Sequence, residues 1–113
     1  MLKVYGLKNC DTCRKAIKWL DENGINCVFF DVRKDGVDKA LVEMWEEGVG
    51  WETLLNRRGT TWRGLADDDK DTIDRVHAIN LMVAHPALIK RPVFDLDGDI
   101  SVGFKDVDKA RFK

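Results

Sequence analysis

Two cysteines three positions apart, Cys10 and Cys13, sit where a short apolar run gives way to an amphipathic one, and the thirty residues around them admit few folds. Leu2 to Leu7 is apolar-rich with Gly6 near its end, which predicts a strand feeding a turn at Lys8-Asn9. From Asp11 to Asn23 the apolar positions Cys13, Ala16, Ile17 and Leu20 recur at helical spacing, while Arg14, Lys15, Lys18, Asp21 and Glu22 take the wet face. Asn23-Gly24 supplies a stop, because glycine accepts the left-handed conformation in which many helices end. Ile25 to Val32 is β-branched and aromatic and leads into Lys34-Asp35-Gly36, a second strand followed by a turn. Strand, helix and strand within so short a span form a βαβ unit, which requires parallel pairing and a right-handed crossover, so the N-terminal part is α/β.

The middle of the chain changes character. Val37, Ala40, Leu41, Met44 and Trp45 form one apolar stripe and Ile73, Val76, Ile79 and Val83 another, predicting two helices with a shorter turn around Trp51 to Asn56. Asp67-Asp68-Asp69 falls where the later helix is expected to start and reads as acidic complementation of its N-terminal dipole on a solvated face. Pro86 ends the helical region, and Pro92 to Leu96 then reads as a strand, Asp97-Gly98 as a two-residue hairpin turn and Ile100 to Gly103 as the return strand. A short helix from Asp106 to Arg111, with Val107 and Ala110 on one side, is expected to close the sheet, with Phe112 packing beyond it. The 113 residues fit one domain, without internal repeat or linker.

Nineteen Lys and Arg against twenty Asp and Glu give a net charge of -1, which lacks the basic footprint of a direct nucleic-acid binder. The apolar runs are far shorter than the ~20 residues that cross a bilayer, and the N-terminal residues lack a secretory apolar region, so the expectation is a cytoplasmic protein with no membrane association. Three cysteines do not make a structural disulfide framework, which uses even counts in secreted domains.

The spacing of Cys10 and Cys13 therefore carries the chemistry. A Cys-x-x-Cys at a strand-to-helix junction within a βαβ pattern reads as a redox motif, because the unpaired N–H groups of the helix start favour a thiolate at the first cysteine. Lowering a thiol pKa from about 8.5 to about 7 takes roughly 2 kcal/mol. A helix terminus supplies about 0.3 to 1 kcal/mol and about 2 at best, so further cations are expected: Arg14 locally, and Arg58 and Arg91 if the fold brings them over. Two other readings stand beside this one, a buried inert pair and a zinc site. The second would need two more ligands from Cys27, His77 and His85, which lack ligand spacing, so no metal is expected. Cys27, inside a strand, reads as core, and the two histidines as surface or satisfied groups.

Lys8-Asn9-Cys10-Asp11-Thr12-Cys13-Arg14-Lys15-Ala16 resembles the nucleophile loop of the arsenate reductase-like (ArsC, Spx and YffB) family. The segments Gly50 to Arg63, Ile89-Lys90-Arg91-Pro92-Val93 and Val102-Gly103-Phe104 extend the resemblance over nearly the whole chain in order, and the Trp51 to Arg63 segment and Gly103-Phe104 are most similar to the YffB-like branch. The resemblance implies a thioredoxin-like α/β fold, a mixed four-stranded sheet in one domain over 1–113 with a helical insertion at about 36–86. It implies Cys10 as nucleophile, Arg58 and Arg91 as anion-binding or thiolate-stabilising groups, and Pro92 as the proline that such folds hold cis beside the active cysteine. Cys13 departs from the YffB branch and matches the Cys-x-x-Cys of Spx-like regulators.

The leading expectation is therefore a thiol-disulfide reductase, with glutathione as co-substrate, no bound cofactor, and Cys13 or glutathione resolving the mixed disulfide on Cys10. The alternative is an Spx-like regulator that contacts the RNA polymerase alpha subunit and uses Cys10 and Cys13 as a redox switch. Arsenate reduction ranks third, because Gly103-Phe104 occupies the region in which arsenate reductases of this type carry a further arginine. The substrate, the electron donor and the oligomeric state are not encoded in any of these motifs.

Overall fold

The strand that precedes the cysteines is buried on both faces: in β1 (Leu2–Gly6) only Lys3 reaches solvent. The computed structural model describes residues 2–71 and 73–112; Met1, Thr72 and Lys113, which the expected 1–113 domain includes, lie outside the described residues. After β1 come α1 (Asp11–Glu22), β2 (Cys27–Asp31) and a single helical turn, α2 (Val32–Asp35). The chain returns to the same sheet as β3 (Val93–Leu96) and β4 (Asp99–Val102), and ends in α8 (Asp106–Lys109) and a 3-10 turn, Ala110–Phe112. Between them lie α3 (Lys39–Val49), α4 (Trp51–Leu54), α5 (Thr60–Arg63), α6 (Asp67–Asp71), α7 (Arg75–Ala84) and a 3-10 turn, Pro86–Leu88. The chain divides into two compact units, a sheet unit up to Asp35 and from Arg91 onward, and a helical unit, Gly36–Lys90.

The sheet runs β2-β1-β3-β4 and is mixed, as expected for the α/β class. β1 pairs parallel with β2 from Leu2 opposite Cys27 to Gly6 opposite Asp31, and antiparallel with β3 from Leu2 opposite Leu96 to Tyr5 opposite Val93. The hairpin turn is Asp97-Gly98, with φ of 52° and 94°, the left-handed pair that a type I′ turn demands. Asp95 Oδ1 accepts the Gly98 N–H at 2.7 Å. Cys13, Ala16 and Leu20 are the buried face of α1, and Leu2, Val4, Ala16, Leu20 and Phe94 form the core of the unit, flanked by Trp19, Phe104 and Phe112. Burying an aliphatic or aromatic side chain of this size stabilises by about 1.5 to 3 kcal/mol, which is what fixes α1 against the sheet. Phe112 meets Phe94 at 4.8 Å between ring centroids.

The terminal helix differs from its reading: Val107 is 77% exposed and Ala110 is also outside the core. Phe104 and Phe112, the larger apolar side chains on either side of it, cover Phe94 instead. Val32, read as the end of the second strand, is the first residue of α2.

In the helical unit α3 and α7 are present, but both buried faces are rotated from the apolar stripes. On α3 the buried residues are Val42, Trp45 and Glu46, with Met44 38% exposed. A purely apolar count misses Glu46 because a carboxylate is buried only with a partner, and here Arg75 is that partner. On α7 the buried residues are Ala78, Ile79, Leu81 and Met82, and Val76 is 57% exposed. Asp74 caps that helix by accepting the His77 N–H at 2.8 Å, so it starts at Arg75 and not at the aspartate run. Asp67, Asp68 and Asp69 open the separate short α6. Arg57 lies over the rings of both Trp51 and Trp62, at 5.6 Å from each centroid. Among the described residues no helix is long and apolar enough to cross a membrane.

Candidate functional site

Leu7 to Cys10 is the loop from β1 to α1, and it closes with the Cys10 N–H donating to the Leu7 carbonyl at 3.2 Å. Cys10 is the last non-helical residue, with φ −94° and ψ 121°, and its carbonyl accepts the first helical bond from Arg14 at 3.0 Å. Its side chain thus stands at the open N-terminal turn of a twelve-residue helix, where donors outnumber acceptors. Cys13, one turn in, is only 1% exposed. Gly6 makes room for it: a β-carbon at residue 6 would stand 2.5 Å from the Cys13 sulfur.

The two thiols are pushed in opposite directions. Partial burial works against a Cys10 thiolate, but the Cys13 N–H and thiol and the Arg91 guanidinium all favour it, and the net effect holds Cys10 below the usual thiol range. No fully formed capping hydrogen bond closes on the Cys10 side chain, yet the Cys13 N–H faces its sulfur closely enough to favour the charge. Burial dominates at Cys13 and, together with its role as donor to Cys10, pushes its thiol up to about 11 despite a hydrogen bond from the Leu7 backbone. One sulfur is thus set up as an anion and its neighbour as the neutral thiol that donates to it. Cys27 lies on β2, half-buried against the core, and burial followed by the Asp21 charge raises its thiol.

The structure brings Cys10, Cys13 and Arg91 together. The Arg91–Pro92 peptide bond is cis and Pro92 is buried immediately before β3. Arg14 is turned to the loop: its Nε donates to the Lys8 carbonyl at 3.0 Å, its Nη2 to Asn9 Oδ1 at 3.4 Å, and Asp11 lies 3.7 Å from its Nη1. Arg58 belongs to the helical unit, exposed, with its N–H donating to Asn56 Oδ1 and its carbonyl accepting from Arg63. His77 pairs with Asp69 at 3.3 Å and His85 is exposed beyond α7. Among the described residues no three His, Cys, Asp or Glu side chains gather as metal ligands. Sequence reasoning missed Asp31, whose carboxylate accepts N–H groups from Lys8, Arg33 and Lys34. The signal available for it was an aspartate closing a strand immediately before a turn, a position that favours side-chain acceptance of backbone donors.

Fold and site together define a thioredoxin-like α/β protein with a Cys-x-x-Cys at the first turn of its first helix. The chain belongs to the ArsC family, which it matches over residues 5–112. It is 42% identical over 106 residues to an uncharacterised protein of Haemophilus influenzae, covering 94% of this chain and 93% of that one. It is 24% identical over 116 residues to the global transcriptional regulator Spx 2 of Bacillus anthracis, covering 99% of this chain and 86% of the regulator. Among solved structures it is similar to a YffB protein with a TM-score of 0.94 and 43% identity, over 99% of this chain and 98% of that one.

Proposed function

We propose that this protein is a cytoplasmic thiol-disulfide reductase in which Cys10 is the nucleophile and glutathione the co-substrate thiol. The observation that carries the reading is the convergence of the Cys13 N–H, the Cys13 thiol and Arg91 on one sulfur at a helix start. The Cys10 thiolate attacks one sulfur of a substrate disulfide; the new S–S bond forms as the old one breaks, and the departing thiolate takes up a proton. A glutathione thiolate then attacks the mixed disulfide and releases Cys10, whose lowered pKa makes it a good leaving group. Burial, the largest of the causes that raise the Cys13 thiol, does not depend on Cys10 being a thiolate, and a Cys13 kept protonated by burial favours glutathione for this step. Arg91 is suited to a carboxylate of the incoming thiol because guanidinium presents a bidentate fork. The resemblance assigns anion binding to Arg58 as well, and Arg58→Ala tests that assignment separately.

The test is glutathione-dependent reduction of a glutathionylated peptide. We expect turnover by the native protein, none by Cys10→Ser, and retained turnover by Cys13→Ser. Turnover that survives Cys10→Ser unchanged overturns the reading, and a mixed disulfide that accumulates in Cys13→Ser transfers the resolving step to Cys13.

A second reading has its own support in the Cys13 thiol that donates to Cys10, which makes the two sulfurs neighbours, and in the similarity to Spx 2. In it the pair is a redox switch on a surface that binds the RNA polymerase alpha subunit. Capture of that subunit that changes on oxidation, without turnover, selects it. Arsenite production from arsenate with glutathione and glutaredoxin would select the third.

A further inference from the structure

The loop that presents Cys10 is held at one residue, Lys8, from two sides. Asp31, at the end of β2, divides its carboxylate. Oδ1 accepts the N–H groups of Arg33 at 2.9 Å and Lys34 at 3.0 Å, capping α2, while Oδ2 accepts the Lys8 N–H at 3.4 Å. From the opposite side Arg14 of α1 donates Nε to the Lys8 carbonyl at 3.0 Å and Nη2 to Asn9. Cys10 follows two residues later, its N–H bonded back to Leu7.

This arrangement matters because the groups that favour the Cys10 thiolate act over short range. The influence of a helix start is confined to its first turn, and a hydrogen bond weakens steeply once it is lengthened or bent. A loop free to swing at Lys8 would carry the sulfur out of their reach. The backbone donors, the Lys34 N–H foremost, also hold the Asp31 carboxyl below the usual carboxylate range, so the tether is ionised wherever the thiol chemistry operates.

We propose that Asp31 is a positioning residue for Cys10: by anchoring the Lys8 N–H to the end of β2, against Arg14 on the other side, it fixes the sulfur among the Cys13 donors and Arg91. The inference rests on the reading of Cys10 as the nucleophile and names what holds that site in place.

The sign of one measurement separates positioning from charge. Asp31→Asn removes a negative charge, which by Coulomb's law alone lowers the pH midpoint of Cys10 alkylation. Loss of the tether raises it. Asp31→Ser is the second variant: its hydroxyl can still cap α2 but is one bond too short to span both α2 and Lys8. Asp99→Asn removes an equal charge from the same unit, where Asp99 pairs with Arg111 at 2.8 Å, and serves as the control. Alkylation of Cys10 is followed against pH by mass spectrometry on reduced protein, at a temperature where circular dichroism shows each variant folded. We expect both Asp31 variants to raise the midpoint by about half a unit, making alkylation below it about threefold slower, while Asp99→Asn does not raise it. An unchanged or lowered midpoint in the Asp31 variants, or an equal rise in Asp99→Asn, overturns the positioning role and leaves the nucleophile reading intact. A native midpoint in the ordinary thiol range overturns the nucleophile reading, and the positioning role with it.

Discussion

At Cys13 a single sulfur is pressed between a glycine without a side chain and the nucleophile it serves. The 2.5 Å separation between its sulfur and a β-carbon built on Gly6 is closer than two non-bonded atoms can approach. Gly6→Ala must therefore displace either the Cys13 side chain or β1 itself. Overpacking of this kind costs about 1 to 3 kcal/mol. We expect a loss of that size in urea denaturation together with a raised Cys10 alkylation midpoint, because the displaced sulfur is one of its donors. A loss of stability with an unmoved midpoint would show that the Cys13 thiol does not support Cys10. Cys13 also gives the fold a pH dependence. Its folded-state pKa, about 11, lies above that of an unfolded chain, so over the alkaline range between them the unfolded state has lost a proton that the folded state keeps. The unfolded state then binds fewer protons, and stability falls as pH rises toward 11. Cys10, held below the usual range, acts with the opposite sign at lower pH, adding stability as pH rises from its folded value to the unfolded one. Chemical denaturation of reduced protein should show the alkaline fall, and Cys13→Ser should remove its share of it.

At the scale of elements, what was legible in the sequence is what local chemistry settles. The Asn23-Gly24 stop of α1 is a Schellman end: the Gly24 N–H bonds the Asp21 carbonyl at 3.1 Å, the Ile25 N–H bonds the Leu20 carbonyl at 2.9 Å, and Gly24 has φ 68°. A β-carbon there meets nothing within 4 Å, so Gly24→Ala isolates the backbone cost of the left-handed conformation, about 1 to 2 kcal/mol. Gly24→Asn should cost less, since asparagine tolerates that region. Thermal melts of the two variants test the ordering, and equal losses would contradict it. The hairpin at Asp97-Gly98 was legible for the same reason, since its two left-handed residues are a local requirement. The faces of α3 and α7 were not. Apolar spacing found the helices but turned their faces, because Glu46 is buried through its ion pair with Arg75 and the small Ala78 carries more of the α7 contact than Val76. Neither fact is a property of one helix alone. The short α6 at Asp67–Asp71 was likewise hidden, because the capping residue that starts the next helix is Asp74 and the sequence offers several aspartates to choose from.

At the scale of the molecule, the sheet unit is assembled from the two ends of the chain, with the helical unit Gly36–Lys90 between them in sequence. β3 joins β1 on the side away from β2, and this antiparallel pairing is what returns Arg91 to the loop of Cys10. Periodicity located β3 without revealing its neighbour: the need for a cation offered Arg14, Arg58 and Arg91 alike, and the resemblance to the arsenate reductase-like family narrowed them only to Arg58 and Arg91. Asp31 was beyond both, since nothing at the end of β2 names Lys8 as its partner. The sequence by itself determined the βαβ unit, the place of Cys10 and Cys13 at a helix start, and the glycine-dependent turns. Those depend on backbone sterics, helical and strand periodicity and the orphaned donors of a helix end, all of which act over a few residues. The tertiary structure alone decided which cation faces Cys10, which carboxylate holds its loop and which sides of α3 and α7 are buried. Strand order and burial select those contacts among residues remote in the chain, and local preference carries no term for them.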